Sequence, residues 1–274
     1  MASKPNTSRQ HKHFAVLIDA DNAPAAIVEG LFEEIAKYGV ASVKRIYGDW
    51  TQPNLGSWKK VLLDHSIQPI QQFAYTKGKN ATDSSLIIDA MDLLYTRRFE
   101  GFCLVSSDSD FTRLAARLRE EGLEVIGFGE QKTPQPFVKA CDKFIYTELL
   151  RDDPNDPETL VQPLPAECPD SKSIPHIKPA TEVKHNEASL PKIPVKLITK
   201  VIDDLSDEDG WAFMGALGEN LRKLQSDFDP RLYGFKKLTD LINARNGQFE
   251  LQERGATAAS GKVLVVRNRK VPTK

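Results

Sequence analysis

Two pairs of aspartates follow two separate apolar runs of the chain. Asp19 and Asp21 come directly after "FAVLI", and Asp108 and Asp110 come after "GFCLV" and two serines. Aspartate is a poor strand residue and is costly to bury without a partner, so a strand that ends this way needs a reason. The carboxyl ends of parallel strands meet at one edge of a sheet, where such sheets bind ligands. The two pairs are therefore candidates for a single acidic site.

A helix-like segment supplies one more carboxylate. In "TDSSLIIDAMDLLY", Asp83 lies on the same side of the helix as the apolar stripe that begins at Leu86. Asp83 should therefore point inward, toward the strand ends that carry the two aspartate pairs. Asp89 and Asp92 fall away from that side, and we expect both to face solvent.

Carboxylates that converge on one edge repel each other unless a counter-charge is present. Oxygen ligands without a nearby histidine or cysteine favour Mg²⁺ or Mn²⁺. Such an ion can activate a water and stabilise the charge on a phosphate group that is being displaced. The sequence therefore predicts a catalytic divalent-cation site formed by four aspartates: Asp19, Asp83, Asp108 and Asp110.

Each aspartate also has an ordinary structural explanation. A single aspartate after a strand most often caps a helix or stabilises a turn. Asp110 would then cap "FTRLAARL", and Asp21 would cap the helix that starts at Pro24. The convergence of three acidic segments on one sheet edge favours the metal site, with Asp21 as a supporting residue.

The segments between these residues alternate between two patterns from 14 to about 149. Amphipathic helix-like stretches separate short apolar runs, which are "FAVLID", "ASVKRIYGD", "IQPIQQFAY", "GFCLVSSD" and "EVIGFGE". Nearly continuous apolar strands in this rhythm are typical of a parallel sheet covered by helices on both faces. The sequence therefore predicts an α/β domain over 12–150.

The composition changes after residue 150. Residues 151–196 hold nine of the 17 prolines and no aromatic residue, which predicts an extended, flexible linker that cannot bury enough apolar surface to fold. Residues 197–271 then show three helix-like segments followed by two strand-like runs, "QFELQER" and "KVLVVRNRK". Three helices and a β-hairpin predict a small α+β winged-helix domain, a frame often used to bind nucleic acid.

The overall composition is that of an ordinary globular protein, with 40% hydrophobic residues, 27% charged residues and a net charge of −1. The three cysteines are scattered, so we expect no disulfide, no zinc site and a reducing compartment. The N-terminal residues form no apolar signal segment, and no apolar run is long enough to cross a membrane. These features predict a soluble, cytoplasmic protein without a membrane partner.

The acidic segments resemble a known family. "LIDADN", "KNATDSSLIIDAMDLL" and "LVSSDSDF", followed by "LREEGLEVIGFG", are similar to the NYN domain, in the LabA-like branch of the PIN-like nucleases. The resemblance covers about 14–149, with all blocks in order. It implies a PIN-like, Rossmann-like α/β fold and metal-dependent RNA cleavage, with the acidic cluster at Asp19, Asp83, Asp108 and Asp110.

The same resemblance implies roles for two neighbouring polar residues. Asn22, in the block D-x-D-N, would orient a metal-bound water or a phosphate. Ser107 stands where the family often has glycine, and its hydroxyl could form a hydrogen bond with Asp108 or with a phosphate.

The C-terminal segment "DFDPRLYGFKKLTDLINARNGQFELQER" resembles the OST-HTH, or LOTUS, domain. This resemblance implies a winged helix that binds RNA or, in some members, a protein partner. Residues 211–274 carry 12 lysines or arginines against six aspartates or glutamates, a balance that suits contact with phosphates. Lys236 and Lys237 are candidate RNA contacts, although two lysines on a solvated helix face need no function.

A second basic segment precedes the helix that carries Asp83. Lys77 and Lys79 lie in "YTKGKN", a glycine-containing loop, and are candidates for neutralising RNA phosphates. A generic basic loop is an equally good explanation of these two lysines.

These features predict a Mg²⁺- or Mn²⁺-dependent endoribonuclease joined to an RNA-binding winged helix. The first alternative is a non-catalytic RNA-binding regulator or adaptor with a degenerate acidic site. The second is a phosphatase of the haloacid-dehalogenase type with Asp19 as the nucleophile. That chemistry favours Thr or Val where Asn22 stands, and it leaves Asp83 unexplained.

Overall fold

The computed structural model describes residues 11–73, 81–150, 191–255 and 263–269. The predicted linker, 151–196, lies outside the described residues except for 191–196. Lys77 and Lys79 also lie outside them. No helix in the described ranges is long and apolar enough to cross a membrane.

The N-terminal part is built on a parallel sheet of six strands, ordered β3-β2-β1-β4-β5-β6. The strands are β1 (His13–Asp19), β2 (Val40–Gly48), β3 (Gln68–Gln71), β4 (Gly101–Val105), β5 (Glu124–Gly129) and β6 (Lys143–Tyr146). The strand order reverses between β1 and β4, and ligands bind at such a switch point in doubly wound sheets. The expected α/β architecture of the PIN-like type is confirmed.

Helices cover both faces of this sheet. They are α1 (Val28–Ala36), α2 (Gly56–Val61), α3 (Ala81–Tyr95), α4 (Thr112–Glu120) and α5 (Gln135–Ala140). Alternate residues of β1 serve the two faces: Val16 and Ile18 pack in the core under α1, whereas Leu17 packs in the core under α3 and α4. Because both faces of the strands are buried, β1 and β4 are apolar at nearly every position.

The structure adds β6 and α5 to the five predicted strands and their helices. The sequence of β6, "KFIY", is only four residues long. Its neighbour is α5, which is a single short helix of six residues. Periodicity over so few residues does not distinguish a strand from other apolar segments.

The C-terminal part consists of three helices and a small antiparallel sheet. Its helices are α6 (Val195–Leu205), α7 (Met214–Leu224) and α8 (Leu238–Asn243), and its strands are β7 (Ala212–Phe213), β8 (Phe249–Arg254) and β9 (Val263–Asn268). The strands form an antiparallel sheet in the order β7-β9-β8. The three predicted helices and the hairpin are present. The two-residue strand β7 is an addition, and α6 begins at Val195, slightly before the predicted domain boundary.

Candidate active site

The acidic segments meet at the switch point of the sheet. Asp19 is the last residue of β1, and the segment from Ser106 to Asp110 follows β4, the neighbouring strand. The two strands are parallel and in register up to Ile18 and Val105. The carboxyl ends of β1 and β4 therefore lie side by side, as the sequence predicts.

Asp19 is a buried carboxylate with three hydrogen-bond donors. It is 1% exposed, and it accepts hydrogen bonds from the Ser106 hydroxyl at 2.8 Å, the Asn22 side-chain amide at 2.8 Å and the Asp21 backbone N–H at 3.1 Å. Burial raises the pKa of Asp19, and these donors act in the opposite direction. The three donors hold the carboxyl group in one orientation.

Ser106 connects the ends of the two strands. Its hydroxyl donates to Asp19 Oδ2 at 2.8 Å and accepts a hydrogen bond from the Asp108 backbone N–H at 3.0 Å. The side chain is buried. The sequence reasoning did not assign Ser106 a role; the only signal was a hydroxyl two residues before an aspartate, a common turn pattern.

Asp108 begins the short 3-10 helix Ser109–Phe111 that leads into α4. Its carboxylate accepts a hydrogen bond from the Asp110 backbone N–H at 2.9 Å, so Asp108 is the capping residue, and Asp110 lies in the first turn. The alternative prediction that Asp110 caps this helix is therefore wrong, because Asp108 is the capping residue. The 3-10 helix Ala25–Ile27 begins without a side-chain cap, so Asp21 does not cap it either.

Asp83 lies in the first turn of α3 and joins this group. One carboxylate oxygen from each of Asp83, Asp108 and Asp110 lies within 4.8 Å of the others. Burial, together with the charges of Asp19, Asp108 and Asp110, raises the pKa of Asp83 to about 6. The fold thus brings negative charges together and makes ionisation of Asp83 less favourable than that of an isolated aspartate.

The donor set suits a hard divalent cation. The three grouped side chains offer only carboxylate oxygens, which Mg²⁺ and Mn²⁺ prefer. Burial and the charges of the neighbouring aspartates raise the pKa of Asp83, and a cation at this place would offset the repulsion. Asp19 is outside the group of three, but its charge is the largest electrostatic contribution to the pKa of Asp83 after burial.

Two polar residues differ from the sequence expectations. The Ser107 hydroxyl accepts a hydrogen bond from the Glu130 backbone N–H at 2.9 Å, whereas Ser106 is the serine bonded to Asp108. Asp89 does not face solvent; it is half-buried and pairs with Arg45 and with the Tyr47 hydroxyl. Both partners come from β2, so a helical wheel of α3 contained no information about them.

The remaining candidate residues are not part of the group of three aspartates. Asp92 is exposed, as expected. Lys236 and Lys237 are exposed but precede α8, with Lys237 at its N-cap position, so they do not form a helix face. Asn22 is exposed, and its amide contacts Asp19.

Comparison with known proteins identifies a family for each of the two domains. A family model of the NYN domain matches residues 13–150, which is half of the chain and contains every grouped aspartate. The chain belongs to the NYN domain family. A model of the OST-HTH/LOTUS domain matches residues 188–258, so the NYN domain is followed by an OST-HTH/LOTUS domain.

Several solved structures are similar to parts of the chain. An uncharacterized protein of Nitrosomonas europaea is 34% identical, covers 36% of this chain and 97% of its own, and has a TM-score of 0.28. A protein of unknown function from Vibrio parahaemolyticus is 18% identical, covers 51% and 95%, and has a TM-score of 0.43. Residues 175–257 of a Chromobacterium violaceum protein are 23% identical, cover 31% and 90%, and have a TM-score of 0.25. No curated protein matches the chain.

Proposed function

We propose that the protein is a Mg²⁺- or Mn²⁺-dependent endoribonuclease whose C-terminal domain binds RNA. An NYN domain followed by an OST-HTH/LOTUS domain supports an RNA-related nuclease or RNA-binding protein. The observation that carries the catalytic part is the group of three carboxylates within 4.8 Å, with the pKa of Asp83 raised to about 6. A purely structural arrangement would gain nothing from this repulsion.

The aspartates would hold the cation, and two neighbouring polar residues would position them. Asp83, Asp108 and Asp110 would hold the cation, and Asp19 would complete the negative field around it. A bound divalent cation supplies an activated water and stabilises charge on the scissile phosphate. Ser106 and Asn22 fix Asp19, and Ser106 also fixes the turn that carries Asp108. The site would therefore be preorganised by the strand ends rather than formed on binding.

The C-terminal domain would bind RNA through its exposed basic residues. Lys236, Lys237, Arg245 and Arg269 are all exposed in the described part of this domain. Replacing Lys236 and Lys237 by glutamate should weaken RNA binding and reduce its salt dependence, because fewer phosphate contacts release fewer counterions. Unchanged affinity and salt slope would instead favour a protein partner for this domain. Lys77 and Lys79, which precede α3 in the sequence, are further candidates for contact with RNA phosphates.

The two alternatives make different demands on the site. A phosphatase would need Asp19 as a nucleophile, but this residue is 1% exposed and engaged by three donors. That geometry argues against nucleophilic attack. A non-catalytic RNA-binding protein would use the same C-terminal domain and would tolerate loss of the aspartates.

The test is an assay of the purified chain with labelled single-stranded RNA, structured RNA and DNA. Each substrate is incubated with Mg²⁺, with Mn²⁺ or with EDTA. We expect internal cleavage of RNA with either metal and none with EDTA. RNA binding without cleavage under every condition would favour the non-catalytic alternative.

We also propose that the protein acts in the cytoplasm. Cys103 and Cys141 are buried and form no disulfide, which suits a reducing compartment.

A further inference from the structure

The C-terminal domain contacts the N-terminal domain along β6, the edge strand of the sheet. β6 pairs with β5 on one side. On its other side, the Phe144 backbone N–H donates to the carbonyl of Ser226 at 2.9 Å. The Ser226 hydroxyl donates to the carbonyl of Val138, in α5, at 2.7 Å. The segment after α7 therefore supplies an acceptor for a backbone N–H on the outer side of this edge strand.

An ion pair between Glu34 and Arg231 also joins the two domains. Glu34, near the end of α1, is 3% exposed and accepts a hydrogen bond from Arg231 Nη1 at 3.0 Å. Arg231 is itself held by Asp229, through Nε and through Nη2 at 2.7 Å. Burial acts to raise the pKa of Glu34, but Lys37 and Arg231 together lower it below the usual range. Glu34 is thus an ionised, buried carboxylate, and one of its partners comes from the other domain.

Further side chains join the two domains. The Tyr146 hydroxyl, at the end of β6, donates to Asp227 Oδ2 at 2.8 Å. Burial, and then this hydrogen bond, raise the pKa of Tyr146, so the hydroxyl stays a donor. Phe144 and Phe228 belong to one buried apolar cluster that contains residues of both domains. The contact combines a backbone hydrogen bond, a buried charge pair and apolar packing. Domains that are joined only by a linker would not require such a set of complementary contacts.

We infer that the C-terminal domain docks in cis on the β6 edge of the NYN domain, through residues 226–231, so that the two domains work as one unit. The occupant of this edge is the chain's own C-terminal domain, because its contacts complement the edge in hydrogen bonding and in charge. A covalent connection gives this domain a local concentration on the order of millimolar, which favours it over a second copy.

Docking has a consequence for the reaction that rests on the proposed function. RNA held by the basic residues of a docked domain would stay at a constant distance from the grouped aspartates. Cleavage would then fall at a set spacing from the bound element, whereas a freely moving domain would give scattered cuts. The docking itself is tested separately, without RNA or metal, so that its failure is distinguishable from failure of the nuclease proposal.

The test measures hydrogen exchange of the Phe144 amide in the full-length, metal-free chain. This N–H has its partner in the other domain, so its protection reports docking. The test variant combines Glu34→Gln and Tyr146→Phe, which removes one charge and one hydroxyl from the NYN side and leaves the C-terminal domain unaltered. Lys200→Gln is the control, because Lys200 is exposed on α6 and makes none of the docking contacts.

We expect slow exchange at Phe144 in the native chain and in Lys200→Gln. We expect exchange about tenfold faster in the double variant, with the amides of β1 unchanged, since about 1.4 kcal/mol of lost docking corresponds to that factor. A Phe144 amide that exchanges in the native chain as fast as an unprotected peptide would overturn docking. Protection that falls on dilution, with a dimeric mass by light scattering, would overturn docking in cis.

Discussion

At the scale of single residues, the site depends on side chains that hold the aspartates as well as on the aspartates themselves. The closeness of Asp19 and Asp108 could be predicted from the sequence, because both follow apolar strands and the carboxyl ends of parallel strands meet at one edge of a sheet. Ser106 could not, since a serine in a turn is common and its two bonds reach Asp19 and the Asp108 backbone. Which serine faces the site and which faces Glu130 depends on the path of the chain after β4.

Ser106→Ala tests whether this hydroxyl positions the site. The change leaves the Asp108 N–H without its acceptor and Asp19 without one donor, and we expect a loss of about 1–3 kcal/mol in the free energy of unfolding. We also expect a loss of about 10- to 100-fold in Mn²⁺ affinity, as is usual when a group supporting a metal ligand is removed. Urea denaturation and Mn²⁺ titration measure the two effects.

Thr133→Ala is the matched control for Ser106→Ala. Thr133 is a buried hydroxyl that donates to the Glu130 carbonyl at 2.5 Å and contacts no aspartate of the site. Thr133→Ala should lower the free energy of unfolding and leave the Mn²⁺ affinity unchanged. Equal Mn²⁺ affinities in the two variants would mean that Ser106 has only a structural role.

At the scale of elements, the orientation of α3 about its own axis decides whether Asp83 lies near the strand ends. The apolar stripe predicts the inward face of this helix, and the structure agrees for Asp83 and Asp92. It disagrees for Asp89, which pairs with Arg45 and Tyr47. A helical wheel describes the residues of one helix only. It could not predict the partners of Asp89, because they lie on β2, more than 40 residues earlier in the chain. The pairing ties α3 to the sheet and supports the position of Asp83.

Asp89→Asn and Tyr47→Phe test this tie. The Arg45–Asp89 pair is only partly exposed, with side-chain exposures of 25% and 22%. Asp89→Asn should cost about 1–3 kcal/mol of unfolding free energy, because it leaves Arg45 without its carboxylate. Tyr47→Phe should cost about 1 kcal/mol, because Asp89 keeps Arg45. Urea denaturation gives both values.

The exposed Asp92 of the same helix provides the comparison. Asp92→Asn should change the unfolding free energy by less than about 0.5 kcal/mol. If Asp92→Asn were as destabilising as Asp89→Asn, the anchoring of α3 by the Arg45–Asp89–Tyr47 contacts would be wrong.

At the scale of the whole molecule, the order of two domains could be predicted from sequence segments, but their contact could not. The Arg231–Glu34 bond joins residues 197 positions apart, and the Tyr146–Asp227 bond joins residues 81 apart. No local pattern contains such a pair. The prolines of 151–196 predict a flexible linker between the two domains, but they carry no information about the contact between the described residues on either side. β6 was missed for a related reason, because a four-residue strand takes its edge partner from a distant segment.

The pH dependence of docking follows from Glu34. Its pKa is lowered from 4.5, in part by Arg231 of the other domain, so the ionised form is favoured when the domains are docked. The docking contribution of this pair is then complete above about pH 5 and is lost as the pH falls through the lowered pKa. Protection of the Phe144 amide, corrected for intrinsic exchange, should be constant from about pH 5 to 8 and should decrease in more acid solution.

Glu34→Gln should reduce this acid-induced decrease, because glutamine does not titrate. Burial acts to raise the pKa of Asp229, but Arg231 of its own domain and, to a smaller extent, Lys143 of β6 lower it, so Asp229 accounts for the decrease that remains in Glu34→Gln. A loss of protection between pH 8 and 6 in the native chain would point to a different titrating group.

The measurement that tests the central claim most directly is single-turnover cleavage of labelled RNA in Mn²⁺ by three aspartate variants. Asp83→Asn and Asp108→Asn remove charge from the grouped carboxylates with little change in shape, and we predict that the rate falls by about 100-fold or more while the fold, followed by circular dichroism, is kept. Asp92→Asn, on the exposed side of α3, should cleave at the native rate. Native, Mn²⁺-dependent rates in Asp83→Asn and Asp108→Asn would contradict the account and place the catalytic metal elsewhere.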